Sequence, residues 1–156
     1  MSSSNLQALT VLLERAEAER DEALRLLQDA QAKASAARNQ HDQLNQYRTD
    51  YRHRWTQEFA QRTTVQLLGC YQNFGQRLDQ AIGQQGGIAD FADQRVSTAR
   101  DQLRERELRV ASVRKLIERR RAESLRQQMR QDQRATDEQA ARAASRGGNP
   151  MSRLVA

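Results

Sequence analysis

Apolar residues in this chain fall into two long stripes set in a strongly polar background. The first passes through Leu9, Leu13, Ala16, Leu27, Ala30, Ala34, Ala37, Leu44, Tyr47 and Tyr51, in steps of three, four or seven with one longer stride. The second passes through Tyr71, Phe74, Leu78 and Ala81. Beyond a glycine-containing stretch it resumes at Ala92, Val96, Ala99, Leu103, Val110, Val113 and Ile117. Spacing that averages about three and a half residues is the seam of a coiled coil. Two such stripes in one chain predict an all-α fold, with two long helices forming an antiparallel coiled-coil hairpin.

Two segments compete for the turn. In "GQQGG", residues 83–87, the paired glycines each cost roughly 1 kcal/mol inside a helix relative to alanine. In "AQRTTVQ", residues 60–66, Thr63 and Gln66 have the spacing of a capping box, and the weak helix formers Thr63, Thr64 and Val65 gather beside them. The stripes decide between these. Gln40, Leu44, Tyr47 and Tyr51 are spaced by four, three and four, and Phe74, Leu78, Ala81 and Gln85 repeat that spacing. Pairing Tyr51 with Phe74 and Gln40 with Gln85 centres the hairpin in the capping-box segment. The predicted organisation is therefore a loose start at 1–5, helix one at 6–59, a turn at 60–66, helix two at 67–145 and a disordered tail at 146–156. Gly83, Gly86 and Gly87 become a soft point, 83–87, within helix two. Helix one is too short to cover all of helix two, so "RRRAESLRQQMRQDQRATDEQAARAASR" overhangs as a single helix with a thin apolar stripe.

Composition agrees with a narrow seam rather than a globule. Only 37% of residues are hydrophobic and the mean hydropathy is -0.95, well short of the apolar share of an ordinary globular domain. Ala, Leu, Gln, Arg and Glu, all strong helix formers, make up most of the chain, and its one proline is Pro150. The net charge is +6. Residues 95–146 hold fifteen Arg or Lys against eight Asp or Glu, which fits either an acidic partner or a solvated helix face laced with ion pairs. The basic run is interrupted by Glu118, Glu123 and Asp132, and no basic-region-plus-zipper layout is present, so nucleic acid is not an expected partner. Cys70 is alone, which excludes an internal disulfide and fits a reducing compartment. "MSSSNLQAL" is not a signal peptide, and no apolar run is long enough to span a bilayer. The expected setting is cytoplasmic, without membrane insertion.

Catalytic chemistry finds no foothold. His41 and His53 lie far apart and have no His or acidic partner at i,i+4, so no metal site is expected. Cys70 reads as a packing thiol rather than a nucleophile. "GQQGG" has no Gly-Lys-Ser/Thr and follows no strand, so it is not a phosphate loop. The expectation is a non-enzyme with no cofactor. The informative stretch is "YRTDYRHRW", residues 47–55. Tyr47 and Tyr51 lie on the seam, Trp55 continues their row, and Arg48, Arg52 and Arg54 point elsewhere. Two helices cover only part of each other, so such a row is either core packing or a docking surface for a protein.

These elements together resemble the flagellar FliJ family. The resemblance runs from about Leu6 to Ser145. It rests on Gln40-x3-Leu44-x2-Tyr47-x3-Tyr51, on Tyr71-x2-Phe74-x3-Leu78-x2-Ala81, on "LIERRRAE" and on the closing "DEQAARAA". The chain departs from the family pattern at Gly83, Gly86 and Gly87, where continuous helix is expected. The resemblance implies a stalk-like coiled coil of the flagellar type III export apparatus. Its implied partners are the hexameric export ATPase, the cytoplasmic domain of the export-gate protein FlhA, and export chaperones. The implied gate-binding stripe is Gln40, Leu44, Tyr47, Tyr51, Phe74, Leu78, Ala81 and Gln85. The implied ATPase-ring contact lies in the Arg-rich overhang, at Arg119, Arg120, Arg121, Arg126 and Arg130. The implied location is cytoplasmic, peripheral to the inner membrane at the flagellar base. Other readings of the same pattern are a stalk of a virulence secretion system, which should lack the Tyr/Phe stripe, a parallel homodimeric scaffold, and a salt-sensitive nucleic-acid binder.

Overall fold

The structure is a computed structural model, and it describes residues 2–62 and 64–148. Two helices account for nearly all of them: α1, Ser2–Gln61, and α2, Val65–Gly147. The two run antiparallel, as the pairs Arg48–Asp79, Arg38–Asp93 and Glu19–Arg106 show: the α1 number falls as the α2 number rises. At the end of α1 the Arg62 N–H donates to the Glu58 carbonyl at 2.8 Å. At the start of α2 the Leu67 N–H donates to Thr64 Oγ1 at 3.3 Å, and the Leu68 N–H to the Thr64 carbonyl at 3.1 Å. Thr64 is thus the N-cap of α2. The expected cap was Thr63, which lies outside the described residues. With Thr64 in that role the third helical position is Leu67, not a Glu or Gln, so the reciprocal bond of a capping box is not available.

The helices divide into two compact units, one covering Glu17–Leu108 and the other Met1–Ala16 with Arg109–Ala156. In the inner unit a seam of small and branched side chains is buried, with Ala23, Leu27, Ala34 and Ala37 on α1 and Leu78, Ile82, Ala89, Val96 and Ala99 on α2. Alternating alanine with larger residues lets the two faces interdigitate. Leu27, Ala34, Val96 and Ala99 form its tightest cluster, with Ala30, Ala92 and Leu103 packed around it. Ion pairs across the seam fix the register: Arg106–Glu19 at 3.2 Å, Arg38–Asp93, and Arg48–Asp79 at 2.8 Å. These pairs remain partly open to solvent, so each contributes on the order of 1 kcal/mol, and their effect is on alignment.

α2 passes through Gly83–Gly87 without a break, and no described glycine has a positive φ. Ile82 and Ala89 are buried on either side of the glycines, and that packing holds the helix where its local propensity is weakest. In the outer unit Ala16 on α1 and Val110, Val113 and Ile117 on α2 are buried. Near the start of α1, Asn5 and Leu6 share a small hollow with Arg120, Glu123, Ser124 and Gln127. From Leu125 through Gly148 every described residue is exposed, so this part of α2 is the overhang. α1 is helical from Ser2 rather than from residue 6, since extending a nucleated helix adds a hydrogen bond for each residue fixed. Of the residues expected to form a tail, 149–156 lie outside the described part of the chain, as does Met1. Among the described residues no helix is long and apolar enough to cross a membrane.

Candidate functional site

Next to the bend, α1 presents Tyr47, Tyr51, Trp55 and Phe59 in steps of four, so all four fall on one face of the helix. α2 brings Tyr71 and Phe74 against that face. Tyr51 is the hub, with ring centroids 4.7 Å from Phe74, 5.5 Å from Tyr71 and 5.9 Å from Trp55. Tyr71 also meets Trp55 at 5.8 Å and Phe59 at 5.4 Å, the latter edge to face. Tyr47 stacks on Tyr51 and meets the edge of Phe74, both at 6.4 Å. These distances and tilts are the favourable range for aromatic pairs. Six of the seven aromatic residues of the chain are in this one cluster.

The cluster is neither a closed core nor a loose fringe. No described side chain anywhere in the chain is completely enclosed, because two helices leave each other's outer flanks open. Tyr51, Trp55, Phe59 and Tyr71 are half-buried, whereas Tyr47 is 51% and Phe74 41% exposed. The inner rings hold the outer two in place, leaving their faces open to solvent. Partial desolvation among the rings raises the pKa of the Tyr51 phenol above its usual value, with the Trp55 indole acting in the opposite sense. Arg48 crosses to α2, where its Nε lies 2.8 Å from Asp79 Oδ1, and so frames one side of the cluster.

The remaining residues of the stripe are placed differently. Leu78 is buried in the seam and Leu44 and Ala81 are half-buried, so they support the surface more than they form it. Gln40 is exposed on α1. Gln85 turns inward, its Nε2 donating to the Ala37 carbonyl at 3.1 Å. Arg119, Arg120, Arg121, Arg126 and Arg130 are all exposed on α2, with Arg120 3.9 Å from Glu123. Phe59, at the end of α1, joins the cluster although only its step of four from Trp55 marks it in the sequence. Cys70 is exposed on α2, which corrects its reading as a packing thiol: its position is turned out of the seam. His41 is half-buried, its Nδ1 3.3 Å from the Asn45 amide, and His53 is exposed. No group of three or more His, Cys, Asp or Glu among the described residues could hold a metal.

Fold and site define an antiparallel coiled-coil hairpin with an aromatic cluster beside its bend. The sequence profile of the family described as "Flagellar FliJ protein" matches residues 5–149 of this chain. The chain is also 32% identical, over 139 residues, to the flagellar FliJ protein of Escherichia coli strain K12, an alignment covering 89% of this chain and 95% of that protein. The chain belongs to the FliJ family.

Proposed function

We propose that this protein is a non-catalytic, stalk-like component of the flagellar type III protein export apparatus. It engages the hexameric export ATPase through the overhang of α2, promotes assembly of the ring, and couples it to the cytoplasmic domain of the export-gate protein FlhA. Export chaperones are further partners, and the protein works in the cytoplasm against the inner membrane at the flagellar base. Membership of the FliJ family supports the setting. The observation that carries the docking role is the open pair Tyr47 and Phe74, held by a layer of half-buried rings. A rigid, partly exposed aromatic face is what an interface anchor requires, since little side-chain entropy remains to be lost on binding.

Titration calorimetry against the cytoplasmic domain of FlhA tests this, with thermal melts of each variant in parallel. Tyr47→Ala and Phe74→Ala should each weaken binding by about 2 kcal/mol, roughly thirtyfold, while the melts shift little. Arg52→Ala should matter only at low salt. Normal binding by variants that melt far lower would make these rings core and remove the docking role.

A further inference from the structure

Away from the aromatic cluster, the inner unit has a second open surface. A groove of about 630 Å³ runs between α1 and α2, lined among others by Leu26, Ala30 and Lys33 on one side and Ile88, Phe91 and Arg95 on the other. Phe91, the one aromatic residue outside the cluster, is 60% exposed, with Ile88 at 55% and Leu26 at 44%. Scattered exposed apolar residues are ordinary, but three converging on one groove are not.

The glycines of α2 point to the same place. Gly87 lies one turn before Phe91 on its side of the helix, and Gly83 one turn earlier. A Cβ built at either would meet nothing within 4 Å, and neither has a positive φ. Nothing inside the protein therefore uses the missing side chain, although mid-helix glycine is less stable than alanine. A glycine facing open space beside an exposed aromatic ring allows a foreign backbone to come close.

Charge narrows the choice of occupant. Asp29, the acid lining the groove, is paired with Arg25 at 3.2 Å. Lys33 and Arg95 have no carboxylate within ion-pair distance among the described residues, and the Arg95 guanidinium lies 5.6 Å from the Phe91 ring centre. The rim is thus apolar and cationic. A second copy of this chain, pairing through the same patch, would set these cations against each other. A small molecule would stay wet on one side, because two helices provide no roof.

We infer that the groove docks an amphipathic α-helix of a partner protein, whose apolar face covers Phe91, Ile88 and Leu26 and whose acidic flank meets Lys33 and Arg95. The docked helix adds a third member to the bundle at this point, with its closest approach at Gly87. The site shares no residue with Tyr47, Tyr51 and Phe74 or with the overhang, and stands whether or not those surfaces bind what is proposed above.

Fluorescence anisotropy on the full chain tests it with two labelled synthetic helical peptides that share a leucine face. One is flanked by glutamates, the other by lysines. The glutamate peptide should bind saturably, and the lysine peptide at least about tenfold more weakly. Phe91→Ala and Gly87→Gln should each weaken the glutamate peptide at least about tenfold. Gly87→Gln should nonetheless melt at or above the temperature of the unaltered chain, since a Cβ at this position meets nothing within 4 Å and glutamine favours helix. Tyr47→Ala should leave peptide binding intact. Equal binding of the two peptides, no saturable binding, or indifference to Phe91→Ala would overturn the inference. So would sedimentation showing a dimer that Gly87→Gln dissolves, which would assign the groove to a second copy.

Discussion

Tyr51 shows how one side chain can serve both packing and surface. Its ring touches Tyr47, Trp55, Tyr71 and Phe74, and its hydroxyl titrates above the ordinary tyrosine range because the rings partly desolvate it. The consequence has a definite sign. Unfolded, the phenol loses its proton near pH 10, whereas folded it retains it to higher pH. Between the two values the folded state binds more protons, so this contribution to stability is complete below about pH 10 and is lost as pH rises through the folded value. Thermal melts from about pH 9 to pH 11 should therefore fall more steeply for the unaltered chain than for Tyr51→Phe; equal slopes would mean that the phenol is not perturbed. The positions of Tyr47, Tyr51 and Phe74 were legible in the sequence because they sit on a mirrored stripe. The Arg48–Asp79 and Arg106–Glu19 pairs were not. Arginines are so frequent here that only the register decides which of them finds a carboxylate across the seam.

At the scale of the helices, the seam itself was largely readable. Leu27, Ala34, Ala37, Leu78, Val96, Ala99, Val110, Val113 and Ile117 lie on the stripes and are buried. The gaps were the difficulty. The long stride from Ala16 to Leu27 is filled by buried Ala23, and the glycine-rich stretch of α2 is bridged by buried Ile82 and Ala89. Alanine is a weak signal because it suits either face of a helix, and the glycines disguised a seam that continues beneath them. They remain a local cost to α2, and that cost differs between positions. Gly83→Ala should raise stability by about 0.5–1 kcal/mol, since its Cβ would meet nothing. Gly86→Ala should gain less, because there a Cβ would sit 3.3 Å from His41 Nε2 and the imidazole must give way. Urea denaturation of the two variants checks this. An equal gain at both positions would show that the His41 contact does not constrain the backbone, while a loss at Gly83 would point to an internal use for that glycine.

For the whole molecule the question is why the last part of α2 is kept at all. Residues 125–148 are all exposed, so tertiary packing, the main source of helix stability in a protein, does little for them. The segment's helicity is favoured because it grows from a packed helix, so no separate nucleation is needed, and because its residues are good helix formers with local links such as Gln133–Asp137 at 3.1 Å. In the proposed function this segment meets the ATPase ring, through Arg126, Arg130 and the exposed apolar pair Leu125 and Met129. Removing residues 125–148 should therefore leave the cooperative melt of the remaining chain almost unchanged, while the circular-dichroism signal of helix falls only in proportion to the residues lost. The same truncation should abolish stimulation of the export ATPase in a steady-state assay. Arg126→Glu combined with Arg130→Glu should reproduce much of that loss in a chain of full length, more so at low salt, because the helix is kept and only its charge is reversed. Undiminished stimulation by the truncated protein would remove the overhang from the ring contact. Loss of the melt itself would show instead that these residues stabilise the packed part of the outer unit.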